Sequence, residues 1–464
     1  MRVVRAADLS GLPREPELPF ELVLPDATFR VTEVLRHLPG RRLTVGVNDP
    51  ARGAGVLKLF FGKHHERDID RAVRGQEAFI RAGVRTTPVI ARGSSPAPGP
   101  GIEWLLFSRL SDVTHASEID AIALADILGR LHFNGFSHTD LHLGNFLKTT
   151  QGGIVAIDAD AVEPNVLSVR AGLEELAILL AQFDIPVQPD VAACLAAYLA
   201  ARQEEPGAFR AARIRRLLAA AITRRSAHYL LKTLRDCTNF MVREEEAGVA
   251  SRKLYCRREE SVTFEQFATD PERFFGESAV VLKRGNSATV VNVEIGRRGL
   301  VAKRYNITGF MHRIRRVFRR RAREAWQNGL RLGFLGIPTA LPLGLIETGP
   351  WWWPGPAYVL MERREGKDLA TLTRSGFIDS FTLKDLVHIV SALQKAGLAH
   401  GDLKSTNFLL HQSRLYLIDV DSLRVSKRGQ RRDVARLLAN WPADTPVHTT
   451  VTDAFRQAGL IKPA

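Results

Sequence analysis

The segment HTDLHLGNFL beginning at His138 returns 262 residues later as HGDLKSTNFLL beginning at His400. IVAIDADAV around Asp158 returns as LYLIDVDSL around Asp419. Upstream, RGQEAFIRAGVRTTP around Glu77 is answered by RAREAWQNGLRLGFLGIP around Glu324, and VLKLF at Lys58 by VAKRY at Lys303. The spacings are 245 for the lysines, 247 for the glutamates, 262 for Asp140/Asp402 and Asn145/Asn407, and 261 for Asp158/Asp419. Five landmarks in one order, with one insertion of about 15 residues, do not arise by chance. A period this long means duplicated domains, because solenoid repeats run at roughly 20–50 residues.

Local patterning fits each copy. VVLKRGNSATVVNVEI reads as strand, tight turn, strand, with Gly285 and Asn286 in the turn, and VAKRY as a third strand. A long Arg-rich helix containing Glu324 follows, then the strand AYVLMERREG and an amphipathic helix, DLVHIVSALQKAGLAHGD, running into a loop. In the first copy AIALADILGRLHFNG is that helix, with Leu124, Ile127, Leu128 and Leu131 on one face. About 80 largely helical residues follow Asp158 and only 45 follow Asp419. The expected fold class is α+β: two tandem bilobal domains, each a small antiparallel sheet plus a mainly helical part, the second helical part being short. The boundary is expected within 243–275, where REEEAGVASRKLYCRREESV is charged and weakly patterned, giving domains 1–255 and 256–464.

The repeated residues match what phosphoryl transfer demands. Such chemistry asks a protein to hold a triphosphate, place one or two magnesium ions and orient an acceptor hydroxyl. In the second copy, Lys303 suits the α and β phosphates, Glu324 can hold that lysine extended, and Gly285 lets backbone approach phosphate closely. Asp402 is placed to accept the hydroxyl proton and Lys404 to offset charge on the moving phosphoryl. Asn407 and Asp419 offer the hard oxygen ligands that magnesium prefers. The first copy repeats the set with Lys58, Glu77, Asp140, Asn145 and Asp158, but has His142 where the second has Lys404. His138 and His400 are expected to hold the catalytic loops rather than to react.

These spacings resemble the protein-kinase superfamily, whose H-x-D-x-x-x-x-N motif precedes the magnesium aspartate by about a dozen residues. Here Asp402 to Asn407 is 5 and Asn407 to Asp419 is 12; in the first copy the intervals are 5 and 13. The resemblance spans nearly the whole chain and makes each half kinase-like. Within the superfamily, HTDLHLGNF, HGDLKSTNF and an Asp-x-Asp in place of Asp-Phe-Gly look most like bacterial lipopolysaccharide kinases acting on heptose or Kdo sugars of the inner core. What that resemblance implies is an ATP-dependent kinase using Mg2+, with Mn2+ as a substitute, acting in the cytoplasm at the inner face of the inner membrane. It adds Met361 to the ATP-binding residues and implies a lipopolysaccharide core, or another phosphate-rich glycolipid, as acceptor. Asp433 in RRDVARLL takes the place of a residue bracing the catalytic loop from below. Neither copy has an Ala-Pro-Glu segment, and Ala159-Asp160 and Val420-Asp421 stand where Phe-Gly would, so a peptide-docking platform and activation-loop switching are not expected. The alternatives are a protein Ser/Thr kinase, and a tandem pseudokinase scaffold that binds nucleotide without turnover.

A net charge of +15 favours anionic partners without choosing among them. No helix-turn-helix, zinc or RNP-type pattern accompanies it, so no nucleic acid is expected. Cys194, Cys237 and Cys256 are too dispersed for a disulfide framework or zinc site. The opening residues lack the apolar stretch of a signal peptide, and no run of 18 apolar residues reads as a membrane span. Seven arginines lie between Arg313 and Arg323. Contact with an anionic membrane surface is expected through Arg313, Arg315, Arg316, Arg319, Arg320 and Arg321, assisted by Trp351, Trp352 and Trp353 in a hairpin loop.

Overall fold

A computed structural model describes residues 2–13, 15–49, 53–95, 101–205, 209, 211–247, 250–307, 309, 317, 319–350 and 352–462. The chain divides into two compact units, Met1–Phe183 with Gln188–Leu218, and Asp184–Val187 with Ala219–Ala464. This division differs from the expected one at 255/256. The charged stretch read as a linker forms strands that pair into the second unit's sheet.

The first unit opens with a seven-stranded sheet built from β1 (Arg2–Arg5), β2 (Phe20–Val23), β3 (Thr28–Leu38), β4 (Arg42–Asp49), β5 (Gly53–Phe60), β6 (Val89–Ser95) and β7 (Ile102–Ser108), in the order β1-β2-β3-β4-β5-β7-β6. All neighbours are antiparallel except β1 and β2, which run parallel, a departure from the expected antiparallel sheet. Alternation fills the core: Phe20, Phe29, Leu43, Val45, Leu57, Leu59 and Trp104 are buried together, and the Trp104 indole donates to Asp26 at 3.0 Å. Fully burying side chains of this size contributes about 1.5–3 kcal/mol each. Helix α1 (His65–Arg81) separates β5 from β6, and α2 (Ala121–Phe133), α3 (Val169–Leu180) and α4 (Val191–Ala201) make the helical part. Leu124, Leu128 and Leu131, three of the residues expected on one face of α2, are buried almost completely, and Ile127 nearly so. Helix α5 (Ala211–Lys232) contains the division between the units.

The second unit's sheet comprises β8 (Phe240–Ala247), β9 (Ala250–Arg257), β10 (Val281–Arg284), β11 (Ala288–Ile295), β12 (Arg298–Tyr305), β13 (Pro342–Thr348) and β14 (Ala357–Glu362), in the order β8-β9-β13-β14-β12-β11-β10, all antiparallel. The expected turn at Gly285 and Asn286 joins β10 to β11, where Gly285 N donates to Ala288 O at 3.0 Å. Helices α6 (Ser261–Ala268) and α7 (Arg321–Phe334) pack on this sheet, with Phe264, Phe267 and Trp326 fully buried. Beyond it lie α8 (Ser380–Lys395), α9 (Lys427–Leu438) and α10 (Pro446–Gln457). Asp379 caps α8 by accepting from Phe381 N and Thr382 N, and Ser426 caps α9 by accepting from Gly429 N.

One five-strand pattern is common to both sheets: β3-β4-β5-β7-β6 in the first and β10-β11-β12-β14-β13 in the second. The extra pair flanks opposite edges, β1–β2 beside β3 and β8–β9 beside β13. In each unit the helix after the third strand ends on a left-handed glycine, Gly83 after α1 and Gly336 after α7, as C-terminal caps prefer. Three residues further on, Thr86 bridges Ala156 and Thr339 bridges Leu417, so the two helices align at an offset of 253 rather than 247. Glu77 and Glu324 are therefore not equivalent positions.

Candidate functional site

In the second unit, Lys303 lies on β12 opposite Val290 and Val359, which aims its side chain at the turn following Leu417. Asp419 sits there in a left-handed conformation (φ 58, ψ 51), an uncommon state that turns the chain sharply and brings both aspartates of Asp-Val-Asp toward the lysine. Lys303 Nζ donates to Asp419 Oδ1 at 2.7 Å and to both Asp421 oxygens at 2.9 Å. Asp421 is only 4% exposed and also accepts from the Tyr305 hydroxyl at 3.0 Å and Arg321 Nη2 at 3.1 Å. Arg321 Nη1 donates to Ser287 Oγ at 3.1 Å, tying the β10–β11 turn to the same cluster. Burial works against charge on Lys303, but Asp421 and Asp419 outweigh it and raise its pKa. Burial likewise opposes the Asp419 carboxylate, and Lys303 with Lys283 reverses the balance, lowering its pKa.

The expected lysine–glutamate pairing is not formed. Glu324 accepts from Arg319 Nε at 3.0 Å in the first turn of α7, and Glu77 faces solvent near Arg81 at 3.8 Å. The carboxylates that grip each lysine are instead both aspartates of Asp-x-Asp, the first the nearer in each unit. The physical reason lies in helix packing: α1 and α7 present Gly75 and Asn328 to that turn. A Cβ on Gly75 would lie 1.7 Å from Ala159 O, and Asn328 Nδ2 donates to Val420 O and Leu423 O at 2.9 and 3.1 Å. Two residues along from Gly75, Glu77 points away from the turn, whereas Glu324, one helical turn before Asn328, is engaged by Arg319 rather than by Lys303.

The loop carrying Asp402, Lys404 and Asn407 stands next to this cluster. Gly401, at φ +85, donates its N–H to both Asp433 oxygens at 3.1 Å, so Asp433 braces the loop from α9. Asp402 is 45% exposed, with Lys404 Nζ at 3.0 Å and Arg436 Nη1 at 3.3 Å. Asn407 Nδ2 donates to Asp402 O at 2.8 Å, which commits the amide nitrogen and leaves the amide oxygen available. Ile418 N bonds Asn407 O at 2.9 Å, linking the loop to the Asp419 turn. His400 is fully buried and its ring bonds Ile418 O at 3.1 Å; burial lowers its pKa, so it is a neutral structural residue. Met361 lies on β14 opposite Val301, partly buried against the sheet core.

The first unit repeats the motif with other neighbours. Lys58 Nζ on β5 donates to Asp158 Oδ1 at 2.7 Å and Asp160 Oδ1 at 3.1 Å, and Asp158 is again left-handed (φ 61, ψ 57). Arg42, on β4, pairs with Asp160, and Arg36 approaches Asp158 at 3.7 Å. Burial raises the Asp158 pKa; it opposes charge on Asp160 as well, but Lys58 and Arg42 overcome it there and depress the value. Asn145 Nδ2 donates to Asp140 O at 3.0 Å, as its counterpart does. His142 accepts from Gly144 N at 3.0 Å and stabilises the turn. His138 is 2% exposed, and burial pushes its pKa down to about 4. A cleft of about 240 Å³ is lined by Arg36, Arg41, Arg42, Asp140, Asp158 and Asp160.

The residues missed from sequence are Asp160 and Asp421, together with Arg42, Tyr305, Arg321 and Arg436. A signal existed for the aspartates: the second acid of IDADAV and IDVDSL recurs at the same offset as the first. Of the expected membrane-facing arginines, Arg313, Arg315 and Arg316 lie outside the described residues, as does Trp351. Arg319 pairs with Glu324, Arg320 approaches Glu347 at 3.7 Å, and Arg321 belongs to the Asp421 cluster. Among the described residues no group of three or more His, Cys, Asp or Glu is arranged to hold a metal, and no helix is long and apolar enough to cross a membrane.

No protein-family profile matches the chain. Over 201 residues it is 27% identical to a 3-deoxy-D-manno-octulosonic acid kinase of Xylella fastidiosa strain M23, covering 39% of this chain and 76% of that protein. The same figures hold for the corresponding kinase of strain Temecula1 / ATCC 700964. Among solved structures, a ROP18 kinase domain in complex with AMP-PNP and sucrose is similar over 31% of this chain at 18% identity, with a TM-score of 0.24; the match spans about half of that chain (51%).

Proposed function

We propose that the protein is an ATP-dependent phosphotransferase of the protein-kinase-like superfamily, made of two kinase-like halves, that phosphorylates a heptose or Kdo sugar of the lipopolysaccharide inner core. The observation that carries this reading is the convergence, in the second unit, of Lys303, Asp419, Asn407, Asp402 and Lys404 on one loop-and-turn assembly. The sequence similarity to 3-deoxy-D-manno-octulosonic acid kinases supports the sugar as acceptor.

The donor set fits Mg2+, or Mn2+ in its place. Asp419 and Asn407 offer hard oxygens, and this ion is normally bound by one or two carboxylates with substrate phosphates completing its shell. When bound, the magnesium–nucleotide supplies an activated γ-phosphoryl with its charge partly neutralised. The protein's residues do the rest. Lys303 exchanges part of its carboxylate contact for the α and β phosphates, while Asp421 keeps it extended. Asp402 accepts the proton of the acceptor hydroxyl, and its exposure leaves room for a bulky sugar. Lys404 and Arg436 hold Asp402 in place. In the first unit, Lys58, Asp158 and Asn145 support nucleotide binding as well.

Association with an anionic membrane surface is part of this proposal, now carried by Trp352 and Trp353. They are 60% and 43% exposed in the loop between β13 and β14, and tryptophan favours the membrane interface.

The deciding experiment is incubation with labelled ATP, Mg2+ and truncated core lipopolysaccharide. Label is expected in the glycolipid. Label in a Ser/Thr peptide instead would favour a protein kinase, and nucleotide binding without transfer to either would favour a scaffold.

A further inference from the structure

We infer that the exposed face of α9 is the docking surface for the acceptor, and that it selects a glycan carrying several anionic groups. The inference rests on the phosphotransferase reading and adds to it where and by what chemistry the acceptor is held.

Arg428, Arg432 and Arg436 recur every four residues, so they form one stripe about 12 Å long on α9. Lys427 and Arg431 form the adjoining stripe, and Arg424 precedes the helix. All six side chains are exposed, whereas the opposite face, Gly429, Asp433, Val434 and Leu437, is buried. Among the described residues no carboxylate lies within ion-pair distance of Arg424, Lys427, Arg428, Arg431 or Arg432. The one acidic residue of the helix, Asp433, is consumed by Gly401 N. Arg436, at the end of the stripe, is the exception, because it reaches Asp402 Oδ1 at 3.3 Å. The ladder of guanidinium groups therefore leads to the carboxylate that receives the acceptor's proton.

This charge does not serve the helix. Like charges four residues apart repel, and Lys427 and Arg428 occupy the first turn, where the helix dipole disfavours cations. Nor is it a general property of this position in the fold. In the first unit, α3 fills the equivalent place, with Glu175 accepting from His138 N, and its exposed residues are Arg170, Glu174 and Ile178, the first two 3.9 Å apart. The basic face accompanies only the loop that carries Asp402 and Lys404. Phosphate and carboxylate groups spaced along a core oligosaccharide would meet successive guanidiniums, each suited to bidentate contact, and bring a neighbouring hydroxyl to Asp402.

The test uses the full chain and the double variant R428Q/R432Q, whose exposed positions spare the fold and the nucleotide cluster. Truncated core lipopolysaccharide in detergent is the probe, with phosphatidylglycerol vesicles and a single-stranded oligonucleotide as separate arms. The variant is expected to bind the glycolipid about tenfold more weakly and with a shallower salt dependence, while its Mg2+-nucleotide affinity stays unchanged. In turnover, KM for the glycolipid rises and kcat and KM for ATP hold. Equal glycolipid affinity in wild type and variant, or no binding by wild type, overturns the docking surface. So does an effect as large on the vesicles or the oligonucleotide, which would make the face a membrane or nucleic-acid contact. Glycolipid binding that depends on Arg428 and Arg432 without any phosphoryl transfer would retain the surface and refute the phosphotransferase reading.

Discussion

In the first unit the guanidinium on the second aspartate comes from Arg42 on β4; in the second it comes from Arg321 at the start of α7. The lysine, the left-handed first aspartate and the second aspartate that contacts the lysine are the same in both, although Asp421 is buried and Asp160 only half-buried. What recurs is the geometry needed to hold a lysine against a turn, and the balancing positive charge is recruited from whichever element is near. The catalytic loops diverge further. Asp402 has Lys404 and Arg436 as partners, whereas no cation among the described residues lies within ion-pair distance of Asp140. On the proposed reading both loops serve nucleotide binding, but only the second has cations placed to steady a base and offset phosphoryl charge.

The largest expected effect tests that asymmetry directly. Asp402→Ala should lower kcat by about 10³-fold, within the usual range for a lost general base, while nucleotide binding survives. Asp140→Ala should leave most of the activity, measured by the same labelled-phosphate assay. Equal losses from the two substitutions would dissolve the distinction between the units.

Next comes the second aspartate. Asp421→Asn removes the buried carboxylate shared by Lys303 and Arg321, leaving Lys303 with Asp419 alone, and breaking such a buried pair typically costs about 3–5 kcal/mol. Asp419 is more exposed and has fewer partners, so Asp419→Asn should instead weaken magnesium-dependent nucleotide binding with a smaller loss of stability. Thermal melts with and without Mg2+-nucleotide separate the two. A milder destabilisation from Asp421→Asn than from Asp419→Asn would contradict the anchoring role.

Much of this site was legible in the sequence because short motifs carry their own geometry. The spacing of Asp402, Asn407 and Asp419 fits a loop followed by a turn, and both are present, joined by the antiparallel pair Phe408–His411 and Arg414–Leu417. The sheet hairpin β8–β9 was not legible. Its outward residues pair as Lys253 with Glu244 and Arg252 with Glu245, so the run reads as a charged linker. Only Phe240, Leu254, Tyr255 and Cys256, buried at its base, mark it as a strand pair. Helix register was the other loss, since a helix has no punctuation between its caps.

The buried histidines give a pH contrast of intermediate size. His138 has its pKa pushed down to about 4 by burial, against 6.5 for an ordinary imidazole. Between these values the unfolded chain holds the extra proton, so stability declines as pH falls from 6.5 toward 4 and is fully present above 6.5. The shift corresponds to roughly 3 kcal/mol in the first unit. His400 is depressed in the same direction. Denaturant unfolding from pH 7.5 to 4.5 should show this decline, and His138→Gln should flatten the part that belongs to the first unit. An unchanged slope in that variant would assign the acid sensitivity elsewhere.

The smallest effect is expected where the two halves look most alike on paper. RGQEAF and RAREAW share the Glu-Ala pair, and a register of 247 makes Glu77 and Glu324 one conserved partner for the lysine. The register set by Gly83 with Gly336 and by Thr86 with Thr339 is 253, so the two glutamates do not occupy equivalent positions: Glu77 is exposed and Glu324 is held by Arg319. Glu324 then contributes an exposed pair with Arg319, and such pairs contribute about 0–1 kcal/mol. Glu77→Gln and Glu324→Gln should each leave KM for ATP within about twofold of wild type, since neither carboxylate reaches a lysine that Asp160 or Asp421 already holds. A tenfold rise in KM for ATP from Glu324→Gln alone would mean that α7 rotates on nucleotide binding to present its glutamate, and that the second aspartate anchors Lys303 only in the empty site.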